Sequence, residues 1–107
     1  MHTPEIKCSQ VLQSSSRCGK HVIVNTAATI DHDDDISDFC HIAPGCHLAG
    51  NVKIGSETFV GIGTTVIPGI VVGANTVIGA GSCVIDNIPP NVTAVGTPAR
   101  PIKAKVN

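Results

Sequence analysis

Every sixth residue of the chain is aliphatic or cysteine over most of its length. The frame holds without interruption at Ile6, Leu12, Cys18, Val24, Ile30, Ile36, Ile42, Leu48, Ile54, Val60, Val66, Val72, Ile78 and Val84. A period of six matches neither the 3.6-residue period of a helix nor the two-residue alternation of a strand. It fits a triangular coil in which three six-residue units bring the chain back above itself after 18 residues. The frame therefore predicts a parallel β-solenoid with aliphatic columns inside.

A second inward register follows each aliphatic residue by four positions. Its members are mostly small: Val22, Ala28, Cys40, Cys46, Val52, Thr58, Thr64, Thr76 and Ser82. Asp34 falls in the same register, where a carboxylate must find hydrogen-bond donors or solvent, because burial otherwise raises its pKa. Glycines recur beside the register, among them Gly55, Gly61 and Gly63, where we expect the backbone to turn corners.

The repeat divides the 107-residue chain into three segments. Residues 1–23 form an atypical N-terminal coil with little glycine, and residues 24–88 form the regular solenoid. Pro89 and Pro90 end the repeat because proline offers no ladder amide. We expect the tail, residues 89–107, to fold back over the last coil and cover its open edge.

Composition excludes several classes of partner and location. The formal net charge of −1 argues against nucleic acid or an anionic membrane as the main partner. No apolar run reaches the length of a membrane span, and the polar start is unlike a signal peptide. The sequence predicts a cytoplasmic protein.

Five cysteines raise the alternatives of disulfides or a metal site. Cys18, Cys40 and Cys46 fall in the inward registers, and no C-x-x-C pair is present. We expect reduced thiols that act as small buried hydrophobic groups, and no metal ligands.

Charge clustering points to one stretch of the chain. Five of the eight acidic residues lie between positions 31 and 38, which also contain His32. His32 comes two places after Ile30, and His41 comes one place before Ile42. Both histidines therefore point outward, so neither is expected in the core.

The stretch VNTAATIDHDDDISDFCHIAPGCHLAGNV and the KIGSETFVGIGTTVIPG run that follows resemble the hexapeptide-repeat acyltransferases. The similar branch contains bacterial sialic-acid O-acetyltransferases and nucleotide-linked amino-sugar N-acetyltransferases. The resemblance implies an all-β, left-handed parallel β-helix of four to five coils, a handedness that the spacing alone leaves open. It also implies direct transfer of acetyl from acetyl-CoA to a sugar or nucleotide-sugar acceptor.

The resemblance implies roles for particular residues. His32 matches the general base, and Asp33 matches the acidic residue that raises its basicity. The Gly50 amide matches a contact to the acetyl-thioester end of acetyl-CoA.

Further positions match the cofactor site of the family. His41 matches a histidine near the thioester, and Ile62, Gly63 and Ala80 match positions along the pantetheine channel. Arg100, in the loop GTPAR, matches a signature near the CoA nucleotide. His32 and His41 are half a coil apart, so they meet only across a subunit boundary, as in the homotrimers of the family. We expect outward apolar residues, including Phe39 and Phe59, to be covered in that assembly.

The chain departs from the family at three points. Asp34 stands where the family usually has cysteine. Asp35 stands where the family has an apolar residue, and its carboxylate adds negative charge near His32. Members of the branch also usually carry an N-terminal Rossmann-like domain that holds the sugar nucleotide, for which we expect no room in this chain.

Other functions for such a solenoid remain open on the sequence. A γ-class carbonic anhydrase would need an H-x-x-x-x-H pair, whereas His41 and His47 have five residues between them. An ice-binding solenoid would show a regular outward threonine face. The main alternative is a trimeric remnant that binds CoA without turnover or only oligomerises.

Overall fold

The computed structural model describes residues 5–7 and 16–104, and its strands form three sheets. Face A contains β1 (Glu5–Lys7), β3 (Ile23–Asn25), β6 (His41–Ile42), β9 (Phe59–Val60), β12 (Val77–Ile78), β14 (Val92–Gly96) and β15 (Ala99–Ala104). Face C contains β4 (Thr29–Ile30), β7 (His47–Leu48), β10 (Thr65–Val66) and β13 (Cys83–Val84). Face B contains β2 (Arg17–Cys18), β5 (Asp35–Ile36), β8 (Lys53–Ile54) and β11 (Val71–Val72).

Successive strands visit faces A, C and B in turn, so equivalent residues stack in parallel register 18 positions apart. Ile42 pairs with Val60 on face A, for example, and Ile36 pairs with Ile54 on face B. The architecture is the left-handed parallel β-helix of about four coils that the repeat and the resemblance predict. In the described residues no helix is long and apolar enough to cross a membrane.

The core is the stack of inward columns that the six-residue frame predicts. From Val24 to Val84, every residue of that frame is at most 1% exposed. From Ala28 to Ser82 the second register is also buried, and its threonines donate hydrogen bonds to backbone carbonyls of the next coil. Thr58 Oγ1 donates to the Gly73 carbonyl at 2.9 Å, and Thr64 Oγ1 donates to the Gly79 carbonyl at 3.3 Å. Hydroxyl groups can therefore occupy this interior without loss of hydrogen bonding.

Three corners join the faces, and we name each after the faces it links. The AC corner comprises residues 26–28, 43–46, 61–64 and 79–82. The CB corner comprises residues 31–34, 49–52 and 67–70, and the BA corner comprises residues 19–22, 37–40, 55–58 and 73–76. One residue in each turn has a positive φ, and glycine fills only some of these positions: His21, Ala27, Asp33, Phe39, Gly45, Asn51, Glu57, Gly63, Gly69, Asn75 and Gly81.

The glycines predicted at corners serve two different purposes. Gly63 and Gly81 have positive φ angles of 69° and 71°, which glycine adopts without steric cost. At Gly61, a Cβ atom would instead lie 2.6 Å from the Ile78 carbonyl oxygen of the next coil. The second group of glycines permits close stacking of coils.

The N-terminal part differs from the expected continuation of the repeat. Ile6 lies opposite Val24, as its column predicts, but β1 runs antiparallel to β3. The expectation of a parallel coil starting at Ile6 is therefore wrong, and in the described residues parallel stacking begins at β2, which pairs with β5. Leu12 lies outside the described residues.

Among the described cysteines, Cys18 departs from the expectation of reduced thiols. Cys18 is disulfide-bonded, so the prediction of reduced thiols is wrong there. Cys18 occupies the first described parallel coil and is only partly buried, so its inward frame position does not give it the covered environment of later members. Cys40 and Cys46 are free and buried as predicted, and burial raises the pKa of both thiols.

The C-terminal segment covers the last coil, as predicted. β14 adds to β12 in parallel, and β15 then returns antiparallel along β14 through a turn with a cis Thr97–Pro98 peptide. Ile88 forms a bridge with Val72 and is buried. The tail thus extends face A and places Arg100 on its outermost strand.

Candidate active site

His32 lies on the CB corner with its side chain 58% exposed. Its turn follows β4, whose Ile30 is buried, and the next residue, Asp33, has a φ of 60°. Aspartate tolerates this left-handed conformation better than most residues. The outward orientation predicted for His32 is confirmed.

Asp31 holds the imidazole of His32 in place. The Asp31 Oδ1 atom accepts hydrogen bonds from the His32 backbone amide at 2.8 Å and from its Nδ1 at 2.9 Å. With the proton on Nδ1, Nε2 keeps its lone pair. The bond to Asp31 is also the main reason that the pKa of His32 is raised, and the charges of Asp31 and Asp33 add to it.

Asp31 was not among the residues predicted from the sequence, although it precedes His32 directly. The sequence signal for Asp31 is its position one place after the inward Ile30, because that position directs the Asp31 side chain outward on the same corner as His32. Asp33 makes no hydrogen bond to the imidazole in the described residues and acts on His32 through charge. Asp35 lies on face B between Arg17 and Lys53 in register, where two cations flank its charge.

Gly50 occupies the equivalent turn one coil further along and lies against the His32 ring. A Cβ atom at position 50 would be 2.8 Å from His32 Cε1 and 2.9 Å from Nε2. The Asn51 amide donates to the His32 carbonyl at 3.0 Å and fixes the two turns relative to each other. Within the part of the chain that the structure describes, the Gly50 amide donates to no protein acceptor. The Nε2 atom of His32 and a backbone N–H without a protein acceptor therefore lie on the same corner.

Asp34 is buried beneath the same corner, at 1% exposure. Its Oδ1 accepts a hydrogen bond from the Val52 amide at 2.7 Å, whereas its Oδ2 is buried without a partner among the described residues. Burial raises the pKa of Asp34 to about 6, and the bond from Val52 opposes part of that effect. Two of the outcomes considered for this inward carboxylate thus occur together: a backbone donor and a raised pKa.

His41 lies on face A, across the triangular section from the CB corner. Its Nε2 is 2.6 Å from Asn25 Nδ2, and its ring packs edge-on against Phe59 at 5.1 Å. Asn25 is itself buried, so the imidazole is held in a fixed orientation. One chain does not bring His41 and His32 together.

Ile62, Gly63 and Ala80 lie together on the AC corner. The Ile62 and Ala80 amides donate no hydrogen bond to another described residue, whereas the amide of Gly63 donates to the Pro44 carbonyl at 3.0 Å. A Cβ at Gly63 would meet nothing within 4 Å, so this surface is open. The corner offers free amides that a slender polar chain can reach.

Arg100 lies on β15 and pairs with Asp86. Its Nη1 donates to Asp86 Oδ2 at 3.1 Å, and both side chains are more than half exposed. Such a pair is weak in water, so the guanidinium can exchange partners. Among the described residues, no group of three or more His, Cys, Asp or Glu side chains is arranged to hold a metal ion.

Comparisons with known proteins point to one class of enzyme. No protein-family model matches the chain. It is 42% identical over 72 residues to a 2,3,4,5-tetrahydropyridine-2,6-dicarboxylate N-acetyltransferase of Alkaliphilus metalliredigens, covering 60% of this chain and 30% of that protein. It is 46% identical over 66 residues to a putative acetyltransferase of Schizosaccharomyces pombe, covering 62% of this chain and 32% of that protein. The chain thus spans about a third of the length of these curated relatives.

Solved structures give longer matches. The chain is similar to a variant of perosamine N-acetyltransferase from Caulobacter crescentus in complex with CoA and GDP-perosamine, with a TM-score of 0.81 and 41% identity. That match covers 82% of this chain and 42% of the other. The acetyltransferase domain of PglB from Neisseria gonorrhoeae, in complex with acetyl coenzyme A, gives a TM-score of 0.77 and 39% identity over 82% of this chain and 46% of that one. The similarity covers the solenoid that carries the CB and AC corners.

Proposed function

We propose that this chain provides the catalytic β-helix of an acetyl-CoA-dependent acetyltransferase that modifies the amine or hydroxyl group of a sugar or nucleotide sugar. The observation that carries the proposal is the CB corner, where His32 Nε2 and the uncommitted Gly50 amide lie side by side. Relatives named as acetyltransferases support the reaction, and a similar structure solved with CoA and GDP-perosamine supports a nucleotide-sugar acceptor.

His32 is the general base of the proposed reaction. Its Nε2 takes the proton from the acceptor amine or hydroxyl as that atom forms a bond to the acetyl carbonyl carbon. Asp31 holds the opposite nitrogen and stabilises the imidazolium that forms, with Asp33 adding charge. The bond from the carbonyl carbon to sulfur then breaks, and the proton on His32 returns to the departing CoA thiolate.

Gly50 supplies the complementary group. Negative charge develops on the acetyl carbonyl oxygen during attack, and a fixed backbone donor next to the base stabilises it. The Gly50 amide suits this role because no described residue accepts its hydrogen. A single base and a single oxyanion donor thus account for direct transfer without a covalent enzyme intermediate.

We place acetyl-CoA between the CB corner, where its thioester would be attacked, and the AC corner. Ile62, Gly63 and Ala80 would accommodate the pantetheine arm, since two of them present free amides and Gly63 leaves open space. Arg100 would meet the phosphates by exchanging Asp86 for them.

A homotrimer would complete the site. His41 and His32 lie on opposite sides of one chain, so His41 of a neighbouring subunit is the one that would approach the thioester. Phe39, Phe59 and Ile62 are exposed apolar residues, at 56%, 39% and 60%, which such an assembly would cover. We place the reaction in the cytoplasm, following the sequence prediction.

The test is a turnover assay with acetyl-CoA and a panel of amino sugars, nucleotide-linked amino sugars and sialic acids. CoA release is followed for the wild type, for His32→Ala and for His47→Ala, a control whose imidazole lies on face C. We expect His32→Ala to lower kcat about 10²–10⁴-fold with little change in acetyl-CoA affinity. Equal rates for wild type and His32→Ala would refute the base. A wild type that binds CoA but acetylates no acceptor would favour the non-catalytic remnant.

A further inference from the structure

Donor side chains in the second inward register follow one hydrogen-bonding rule from Ser16 to Thr64, whereas Thr76 and Ser82, near the C-terminal end, bond the Pro89 and Gly79 carbonyls instead. A donor at position i gives its hydrogen to the carbonyl at position i + 15. Ser16 donates to Asp31 at 2.6 Å, Cys40 to Gly55 at 3.0 Å, and Cys46 to Gly61 at 3.0 Å. Thr58 and Thr64 obey the same rule with Gly73 and Gly79. The solenoid therefore presents an inward carbonyl to each of these side chains.

Asp34 stands in this register but supplies no donor when it is ionised. The carbonyl 15 positions ahead belongs to Ala49, and among the described residues no group donates to it. The Oδ2 atom of Asp34 is buried and lacks a partner in the same part of the chain. Its Oδ1 already accepts from Val52, 18 positions ahead, just as Ser16 Oγ accepts from the Asp34 amide. A proton on Oδ2 would satisfy both unpaired groups with one hydrogen bond.

The Ala49 carbonyl and the Gly50 amide belong to the same peptide unit. In a trans peptide, C=O and N–H point in opposite directions, so a carbonyl held inward turns its N–H outward. A hydrogen bond to the carbonyl also polarises the peptide and strengthens the amide as a donor. Whatever fixes the Ala49 carbonyl therefore orients the amide of Gly50, the glycine that packs against the His32 ring.

We propose that Asp34 works as a neutral carboxylic acid that donates to the Ala49 carbonyl, and thereby orients the Gly50 N–H outward beside His32. Asp34 is a positioning residue in this account, because it acts through the Ala49–Gly50 peptide and touches no substrate. The role rests on the proposed acetyl transfer. Burial raises the pKa of Asp34 to about 6, and a hydrogen bond that the neutral carboxyl gives to the Ala49 carbonyl would raise it further, as the proposal requires at a pH where His32 is unprotonated.

The test compares Asp34→Asn, Asp34→Ala and the control Thr58→Val. Asparagine keeps an oxygen for the Val52 amide and supplies an N–H for the Ala49 carbonyl. Alanine offers neither group. Thr58→Val removes the equivalent bond to Gly73, on the BA corner, which has no part in the proposed chemistry. We expect Asp34→Ala to lower kcat about 10- to 100-fold with acetyl-CoA affinity nearly unchanged. Asp34→Asn should remain within about threefold of wild type, and Thr58→Val should keep its kcat even if it unfolds earlier.

NMR tests the hydrogen bond from Asp34 to the Ala49 carbonyl independently of catalytic activity. Carbon-detected titration of aspartate carboxyls should show one group that titrates above the others and disappears in Asp34→Asn. The Gly50 amide resonance should coincide in wild type and Asp34→Asn and move in Asp34→Ala, or in Asp34→Val should the alanine variant not fold. Loss of kcat in Asp34→Asn equal to that in Asp34→Ala, or a Gly50 resonance that ignores all substitutions, would overturn the proposal. A wild type that turns over no acceptor but shows these NMR signatures would refute the proposed function and leave the Asp34 bond standing.

Discussion

Replacing Gly50 with alanine should separate activity from stability in this chain. The added Cβ would lie 2.8 Å from His32 Cε1, whereas ordinary contacts of a Cβ begin at 3.4 Å. The ring must therefore retreat by about 0.6 Å or rotate about its side-chain bonds, which it can do because it is exposed. A misplacement of about 1 Å costs on the order of 100-fold in rate, so we expect kcat to fall about tenfold.

Stability should respond differently to the same substitution. Gly50 is not among the glycines with positive φ, so alanine fits its backbone and restricts the unfolded chain. That effect stabilises a protein by about 0.4–1 kcal/mol and should offset the strain of moving the ring.

The assay measures kcat, acetyl-CoA affinity and the free energy of unfolding for Gly50→Ala and for Gly69→Ala. Gly69 lies on the same corner one coil further along, with a φ of 81°, and a Cβ atom there would meet no other atom within 4 Å. We expect Gly69→Ala to lose stability but keep kcat. A Gly50→Ala protein with wild-type kcat would refute the placement of the base against this glycine.

Two further predictions concern carboxylates of the CB corner. Asp31→Asn should lower the pKa of His32, because it removes the hydrogen-bonded charge that raises this pKa. The acidic limb of the pH profile of kcat/KM should therefore move to lower pH, and the plateau value of kcat/KM should fall. An acidic limb that does not move would show that Asp31 does not control the base. Asp34→Thr should stabilise the protein at alkaline pH. Folding raises the pKa of Asp34 from 3.8 to about 6, so the neutral carboxyl favours the folded state below pH 3.8. This contribution to the free energy of unfolding is lost as the pH rises through about 6. This pKa shift corresponds to about 3 kcal/mol in the free energy of unfolding, which screening by solvent reduces to about 1–2 kcal/mol at pH 8. Urea unfolding of Asp34→Thr and wild type at pH 8 and pH 4 measures the difference in stability. An equal gain in stability at both pH values would contradict the raised pKa of Asp34.

The sequence predicted the solenoid because its cause is local and repeated. Each residue of the six-residue frame is buried by its neighbours 18 positions away, so one pattern decides the fold of the whole stack. The raised pKa of Asp34 followed from its register for the same reason. The outward direction of His32 and His41 also followed from their distance to buried isoleucines.

The features that the sequence missed depend on contacts outside the repeat. The six-residue frame places Ile6 opposite Val24 but does not encode the antiparallel direction of β1. The disulfide of Cys18 requires a second cysteine close in space, which its frame position does not indicate. Asp31 was missed because a rotamer, and not a spacing, brings its carboxylate to Nδ1 of His32.

The most direct test of the shared site is a mixing experiment with two impaired variants. His32→Ala lacks the base and His41→Ala lacks the group that approaches the thioester, so each homotrimer should be nearly inactive at low acetyl-CoA concentration. Co-expressed at equal levels, the two chains form mixed trimers in which about a quarter of the boundaries combine an intact His32 with an intact His41 from the neighbour. We predict that the mixture recovers about a quarter of wild-type activity. A mixture as inactive as either variant alone would contradict a site built from two subunits.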